Sequence, residues 1–526
     1  ETKSSMPMPK PPAKATPEPA KAPPKPAKTT PQPAKATKPR DEHALVMDWF
    51  GDGQGGGVHD ADRGRQLLAN LLGMPADHFE DEHWLQKPWL RRLSPKDREL
   101  AAQDQRSPTN MLTLAEVRKL LGRQKPRPAR FLHDVDVTRY VDGRRMALST
   151  GDGPVDAKRV WHAYEKEGYS IRLVHPQQWH TASYELCALL QEHFGFPVGC
   201  SAYLTPPGQQ GFPPHYDDVE IFVLQLEGAK YWQLYDRPDT ARNPACDKTT
   251  EFSASELGEP IDSFWLEKGD LLYFPRGVVH QALAHESTHP LHLTFSTYQR
   301  HTWRQMLERI PSLSVRARST LNKLSSRHGA GILRDLPLDL LRTHSVGVPA
   351  AAWERCAAFL IQPHLPMWLT HELWSGNVLG EAIDRTAVHY LQNSLPPLGG
   401  AALSPGATDL DDDSARVRLC APLCARLVAE GAAAGDLTDW EAGREAPQLV
   451  LHTNVGNGRA FADPPSAAFE VLPRLARSVL QVLRAGRAGV RVADLPAAGG
   501  EDRDNLLDLL EQLTDAGVLV ELPRGG

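Results

Sequence analysis

At 526 residues the chain is too long for one hydrophobic core, so roughly two to four domains are expected. Apolar residues at 41% and charged residues at 24% exclude a wholly disordered chain, and no run approaches the roughly 18 uncharged apolar residues of a membrane-spanning helix. The net charge of −6 is uneven: residues 1–40 carry eight Lys and Arg40 against Glu1 and Glu18, or +7, and leave about −13 for the remainder.

Those first 40 residues also hold twelve of the 45 prolines and no aromatic side chain. That composition cannot offset its ordering entropy, so 1–40 reads as a disordered, extended tail. It lacks the apolar stretch of a secretory signal. Its lysines suit a solvating spacer and a nucleic-acid or nuclear-import element equally well. Residues 41–130 read as a helical segment, broken by the Gly51–Gly57 loop and carrying an aromatic cluster from His78 to Leu90. From 131 to 302 short apolar runs of period two take over, among them Ser170–Val174, Ile221–Leu226, Asp270–Phe274 and Leu291–Ser296. Many short strands at such spacing predict a sandwich or barrel, interrupted by one helix at about Thr181 to Phe194. Helical periodicity returns over 303–400, with segments at Trp353–Ile361 and Gly380–Gln392. A Pro/Gly/Asp-rich linker from Pro396 to Ser414 leads into the last region, 401–526. There Asn457-Gly458 predicts a two-residue hairpin turn. Helices over Leu472–Leu483 and Arg503–Ala516, then a strand over Val518–Leu522, follow the order of a winged helix. The six cysteines are scattered and none forms a CxxC pair, so neither a disulfide framework nor a structural zinc site is indicated and a reducing interior fits. Cys420 and Cys424, four apart, are expected on a helix as packing residues.

The chemical signal is His215-Tyr216-Asp217, with His280 further on. Two imidazoles and one carboxylate on one face of a metal leave adjacent positions open, the arrangement suited to non-haem Fe(II) and O2. On a strand, residues i and i+2 point the same way, so His215 and Asp217 can share an ion, with His280 entering from a distant strand across the mouth. The bare pattern is worth nothing alone: the 21 His and 65 acidic residues yield roughly 2.6 His-x-Asp/Glu matches by chance, and two occur, the other being His78-Phe79-Glu80. Context separates them, because His215 follows the Pro206–Pro214 loop and precedes a strong strand. Lys230 starts the next strand within an apolar run. Directed inward it needs an anion; directed outward it is an ordinary turn lysine. His292, Thr294 and Ser296 alternate with Leu291, Leu293 and Phe295, so one strand face is polar, lining either a ligand cavity or solvent.

The block His215–Gly228, with Gly269–Gly277 and Ser296–Gln299, resembles the JmjC ribosomal oxygenases, nucleolar enzymes known as bifunctional lysine-specific demethylases and histidyl-hydroxylases. The resemblance runs over about 65–522 and is densest from Tyr203 to Trp303. It implies an α+β multidomain chain: a double-stranded β-helix (jelly-roll, cupin/JmjC) catalytic core at 131–302, a helical dimerisation region at 303–400, and a C-terminal winged helix. It also implies His215, Asp217 and His280 as iron ligands, and Lys230 on the distal carboxylate of 2-oxoglutarate, with Tyr203, Thr294 and Ser296 near that cosubstrate. The reagents would be Fe(II), 2-oxoglutarate and O2. The substrate would be a basic protein, a ribosomal protein hydroxylated on histidine or histone H3 demethylated at lysine. A homodimer in the nucleus, at the nucleolus and in the nucleoplasm, follows from the same resemblance. One departure stands near the site: where the family has Ser-Asn-Val-Tyr, this chain has Cys200-Ser201-Ala202-Tyr203.

Two readings compete. A catalytically silent adaptor in chromatin or ribosome assembly would gain nothing from clustering His215, Asp217, His280 and Lys230. A zinc-dependent cupin isomerase lacks further ligands and leaves Lys230 unexplained. The terminal helix is a poor DNA reader, since Glu501–Asp515 holds six acidic residues and only Arg503; nucleic-acid contact, if any, belongs to residues 1–40. Its packing stripe is expected at Leu506, Leu507, Leu510 and Leu513.

Overall fold

The computed structural model describes residues 63–104, 107–125, 127–236, 251–297, 302–310, 313–325, 366–374, 378–398, 410–412, 414–421, 423–430, 448–459, 467–496 and 500–522. The tail 1–40, the Gly51–Gly57 loop and the helix expected at Trp353–Ile361 lie outside them.

Helices α1 (Arg63–Leu72) and α2 (Ala76–Glu82) come first, then a short strand β1 (Trp89–Arg91) and helices α3 (Pro95–Gln103) and α4 (Leu114–Leu121). Thr113 and Glu116 close a reciprocal capping box at the start of α4. The strand-rich part then runs β2 (Val135–Val141), β3 (Arg144–Ala147), α5 (Ala157–Glu167), β4 (Ser170–Val174), α6 (Thr181–Phe194), β5 (Val198–Leu204), β6 (Glu220–Glu227), β7 (Ala229–Tyr235), β8 (Asp262–Glu267), β9 (Leu271–Phe274), β10 (Val279–Ala284) and β11 (Leu291–Thr297). Helix α6 stands where the periodicity placed it, ended by Gly195 at φ 78°. Helix α5 was not anticipated: only Val160, Ala163 and Tyr164 are buried on it, too thin a stripe to stand out among strands.

Eight strands form one sheet in the order β1-β9-β6-β11-β5-β4-β2-β3, and three form another, β10-β7-β8; every pairing is antiparallel. The predicted sandwich is therefore present. Strand β6 is buried on both faces, because its residues serve two cores. Ile221 and Val223 join Trp232, Leu234, Phe264, Leu266, Leu272 and Phe274 between the sheets. Phe222, Leu224 and Leu226 turn the other way, into the core shared with α1, α2 and α6. The ring of Phe222 stacks on Phe295 at 5.0 Å and meets Tyr273 at 4.8 Å. Gly228 turns β6 into β7 at φ 63°, and a Cβ there would lie 2.9 Å from Cα of Pro290.

Beyond the sheets lie α7 (Trp303–Glu308), α8 (Val315–Ser325) and helices Met367–Trp374 and Val378–Asn393. The last part contains β12 (Arg416–Leu419), β13 (Ala425–Glu430), β14 (Gln448–Thr453), β15 (Ala468–Val471), helix Ala476–Arg484, β16 (Val490–Arg491), helix Glu501–Asp515 and β17 (Leu519–Glu521). They make two three-stranded sheets, β16-β12-β17 and β13-β14-β15, around a separate apolar core. Three expectations need correcting here. Cys420 and Cys424 sit in the connection between β12 and β13, with sulfurs 3.6 Å apart, and not on a helix. Asn457 belongs to the longer connection from β14 to β15, where its amide donates to the carbonyls of Leu391 and Ser394 at the end of the long helix. In Glu501–Asp515 the buried stripe is Leu506, Leu509, Leu510 and Leu513, with Leu507 only partly covered.

Candidate active site

A cavity of about 590 Å³ lies between the two sheets. His215, Asp217 and His280 meet in it, each offering a ligand atom within 4.8 Å of the others. His215 is not on a strand, and His280 does not reach it from across a mouth. The two residues form an isolated antiparallel bridge, the His280 amide donating to the His215 carbonyl at 2.8 Å and the His215 amide to the His280 carbonyl at 3.2 Å. The rings repeat one local arrangement: Nδ1 of His215 donates to the carbonyl of Pro213 at 2.8 Å, and Nδ1 of His280 to that of Val278 at 3.1 Å. With the protons on Nδ1, both Nε2 lone pairs are left for a ligand. Burial, with His215 beside it, pushes the pKa of His280 down to about 4, so its imidazole is neutral and able to coordinate. Asp217 is anchored through its carbonyl, which accepts from the Gly277 amide at 3.0 Å. Its Oδ2 stands 3.8 Å from Nε2 of His215 and 4.0 Å from Nε2 of His280. Donors bonded to one ion at about 2.1 Å each lie no more than about 4.2 Å apart, and both separations from Asp217 fall inside that limit.

Lys230 points inward. It is 5% exposed and, among the described residues, no carboxylate pairs with it. Burial alone lowers its pKa to about 7. The opposite wall is a row of directly opposed residues running across β2, β4, β5 and β11: Asp136, Arg172, Tyr203 and His292. Thr294 and Ser296 continue along β11 on the same face and also line the cavity. The polar face of β11 is thus an interior one.

Tyr203 is stacked parallel to His292, ring centroids 4.8 Å apart. Nη1 of Arg172 approaches Asp136 at 3.4 Å, and its Nε and Nη2 donate to Oγ of Ser201 at 3.4 Å. Ser201 therefore faces the cavity, whereas Cys200 and Ala202 turn into the apolar core. Of the departures from the family pattern, only that at 201 touches the site. Arg172 and Asp136 escaped the sequence reading because each alternates with apolar neighbours as a solvated residue would, and Trp232 because a strand tryptophan reads as ordinary core. The second motif, His78-Phe79-Glu80, is structural: Phe79 is in the core and Glu80 binds Nε2 of His193 at 2.8 Å.

Residues 172–306 match the JmjC domain family. Ribosomal oxygenase 1 of Rattus norvegicus is 32% identical over 486 residues, covering 87% of this chain and 75% of that protein. The chain belongs to the ribosomal oxygenase family. A Dictyostelium discoideum protein named bifunctional lysine-specific demethylase and histidyl-hydroxylase is 40% identical over 272 residues, 51% of this chain and 50% of that one. Among solved structures, the Escherichia coli ribosomal oxygenase YcfD in complex with cobalt and 2-oxoglutarate aligns over 86% of this chain and 99% of its own, at 15% identity and a TM-score of 0.38.

JmjC oxygenases use Fe(II), 2-oxoglutarate and O2. This ribosomal oxygenase has the residues for them. Two imidazoles and one carboxylate oxygen suit Fe(II) and leave further positions open. A buried ammonium with no carboxylate partner among the described residues is the counterpart an anionic cosubstrate requires.

Proposed function

We propose that this ribosomal oxygenase hydroxylates a histidine side chain of a ribosomal protein. The observation that carries the reading is that a two-histidine, one-aspartate cluster and a buried lysine with no carboxylate partner among the described residues share one cavity. His215, Asp217 and His280 would hold the iron, and Lys230 the distal carboxylate of 2-oxoglutarate. Once bound, the two supply oxidising power: one atom of O2 enters the cosubstrate, which leaves as succinate and CO2, and the other converts a substrate C–H to C–OH. The chain's own residues orient and shield. Nδ1–H bonds to Pro213 and Val278 fix the ligand imidazoles, Trp232, Phe274 and Val223 give the cavity an apolar wall, and Tyr203, Thr294 and Ser296 complete its polar side. At the rim, Glu251 pairs with Arg145 at 3.5 Å and Asp136 with Arg172. The body's charge of about −13 favours encounter with a basic protein.

The name of the Dictyostelium relative favours a second reading, lysine demethylation; with histone H3 as its substrate, the hydroxylated methyl group would depart as formaldehyde. One assay separates them: succinate release with added Fe(II), wild type against His215→Ala, with ribosomal and methylated histone peptides weighed afterwards. A His215-dependent gain of about 16 Da on a ribosomal peptide supports hydroxylation. Loss of about 14 Da from the histone peptide moves the assignment to demethylase. Bound iron without turnover would leave the adaptor.

The same family reading makes the protein a nuclear, nucleolar homodimer joined through its helical region, where Val315 and Met367 are 85% and 86% exposed. A monomer in sedimentation at micromolar concentration would overturn the dimer. The C-terminal part reads as a winged helix used for protein contact. Nucleic-acid contact falls to the lysines of residues 1–40, whose replacement should abolish salt-sensitive RNA binding.

A further inference from the structure

His292 is the buried polar residue in the cavity that none of the roles above employs. It is 3% exposed, lines the same cavity as Lys230, and ends the row that runs from Asp136 through Arg172 and Tyr203. Its ring lies flat against Tyr203 at 4.8 Å, and Trp232 meets it edge-on at 5.7 Å, so its orientation is fixed from two sides. It stands apart from the metal cluster, which among the described residues gathers His215, Asp217 and His280.

The imidazole has two nitrogens to satisfy. Nδ1 is sealed from solvent and has no hydrogen-bond partner among the described residues. A buried N–H left unpaired is costlier than a lone pair left unpaired, so the proton belongs on Nε2, the nitrogen left to face the cavity. Burial, then the neighbouring Lys230, hold the ring neutral. The result is a rigid, uncharged N–H donor that shares its cavity with Lys230, a cation with no carboxylate partner among the described residues. An ammonium is a point charge with three rotatable donors, whereas a carboxylate presents two oxygens and about four lone-pair directions. A second donor of fixed direction is what would turn attraction into orientation.

We propose that His292 donates a hydrogen bond to the distal carboxylate of the cosubstrate, beside Lys230, and thereby makes the cavity select dicarboxylic over monocarboxylic 2-oxoacids. The inference rests on the cosubstrate reading of the preceding subsection. It assigns His292 a positioning role, with no part in holding the metal.

The test needs no turnover. The full chain loaded with Mn(II) is titrated calorimetrically with 2-oxoglutarate and with 2-oxopentanoate, which has the same carbon chain and lacks the distal carboxylate. His292→Leu removes the donor, His292→Phe removes it while keeping the stack on Tyr203, and His292→Asn retains an N–H. The preference for 2-oxoglutarate should fall about ten- to a hundredfold in the Leu and Phe variants, the worth of a hydrogen bond to a charged group. It should stay within about threefold of wild type in His292→Asn. Affinity for 2-oxopentanoate should be the same throughout, since metal chelation is untouched. Should one donor-free variant fail to fold by circular dichroism, the other decides. Undiminished preference in a folded donor-free variant, or equal loss of both acids, would overturn the role of His292 and leave the cosubstrate reading standing. Wild type that binds 2-oxopentanoate as tightly as 2-oxoglutarate would bring down both.

Discussion

Replacing Lys230 by methionine should stabilise the ligand-free protein while destroying its affinity for cosubstrate. The ammonium titrates at about 7 in the fold against 10.5 for a free lysine. That gap corresponds to a folding penalty of about 5 kcal/mol below pH 7. Because Lys230 borders a cavity that water can enter, about 2 to 4 kcal/mol is the expected gain from a neutral side chain of similar length. The folded value lies below the unfolded one, so between pH 7 and 10.5 the unfolded chain binds more protons and wild type gains stability as pH rises. The variant has no such amine, so its advantage is widest below pH 7 and closes toward pH 10. Urea denaturation of metal-free protein at pH 6 and pH 9, followed by circular dichroism, measures both effects. Binding moves the other way: an ion pair at about 3 Å and an effective dielectric of about 20 is worth roughly 5 kcal/mol before desolvation, so affinity for 2-oxoglutarate should fall at least a hundredfold. In wild type it should weaken as pH climbs past about 7, since the cation is the binding form. A Lys230→Met chain that is less stable than wild type at pH 6 would refute the reasoning, because the ammonium would then have a partner in the ligand-free fold.

Three further predictions address other parts of the molecule. His215→Ala should release no succinate and should show no rise in melting temperature with Mn(II), whereas wild type should melt higher with the metal and lose that increment to EDTA. Glu185 on α6 is held at about 7 by burial, with Oε2 lacking a partner among the described residues. Its folded value exceeds the unfolded one, so wild type should lose stability as pH rises from 4.5 through 7; melting curves at pH 5 and pH 8 should differ less in Glu185→Gln. Asp384 on the long helix and Arg426 on β13 form a buried pair, with Nε and Nη2 of the arginine 2.9 and 2.6 Å from Oδ1. Asp384→Ala should cost about 3 to 5 kcal/mol by stranding the guanidinium, and the double replacement by leucine should recover most of that in a chemical denaturation series.

The strands of the sandwich were legible because alternation survives in short runs, and β6 stood out because both of its faces are covered. The same rule hid α5, whose buried stripe is three residues wide, and misread Asn457, whose turn propensity is overridden by bonds to a helix remote in sequence. At the site, residue types and spacing pointed to His215, Asp217 and His280, but not to how they meet. The bridge between the two histidines depends on the register of β10, which no local pattern encodes. The inward face of β11 was equally opaque, since His292, Thr294 and Ser296 would alternate in the same way beneath solvent. The partner across the sheet, Tyr203, settles which way they point.

The bridge between His215 and His280 also bears on which metal the protein carries in a cell. Two reciprocal amide bonds join the backbones of the two histidines, and a carbonyl holds each ring, all through the protein's own hydrogen bonds. A chelate assembled in advance has little freedom left to lose, and equally little with which to refuse a competitor. Cobalt, nickel and copper outrank ferrous iron at such a nitrogen–oxygen site in the ordinary affinity series. Iron occupancy would then be decided by which ions the surrounding compartment keeps free.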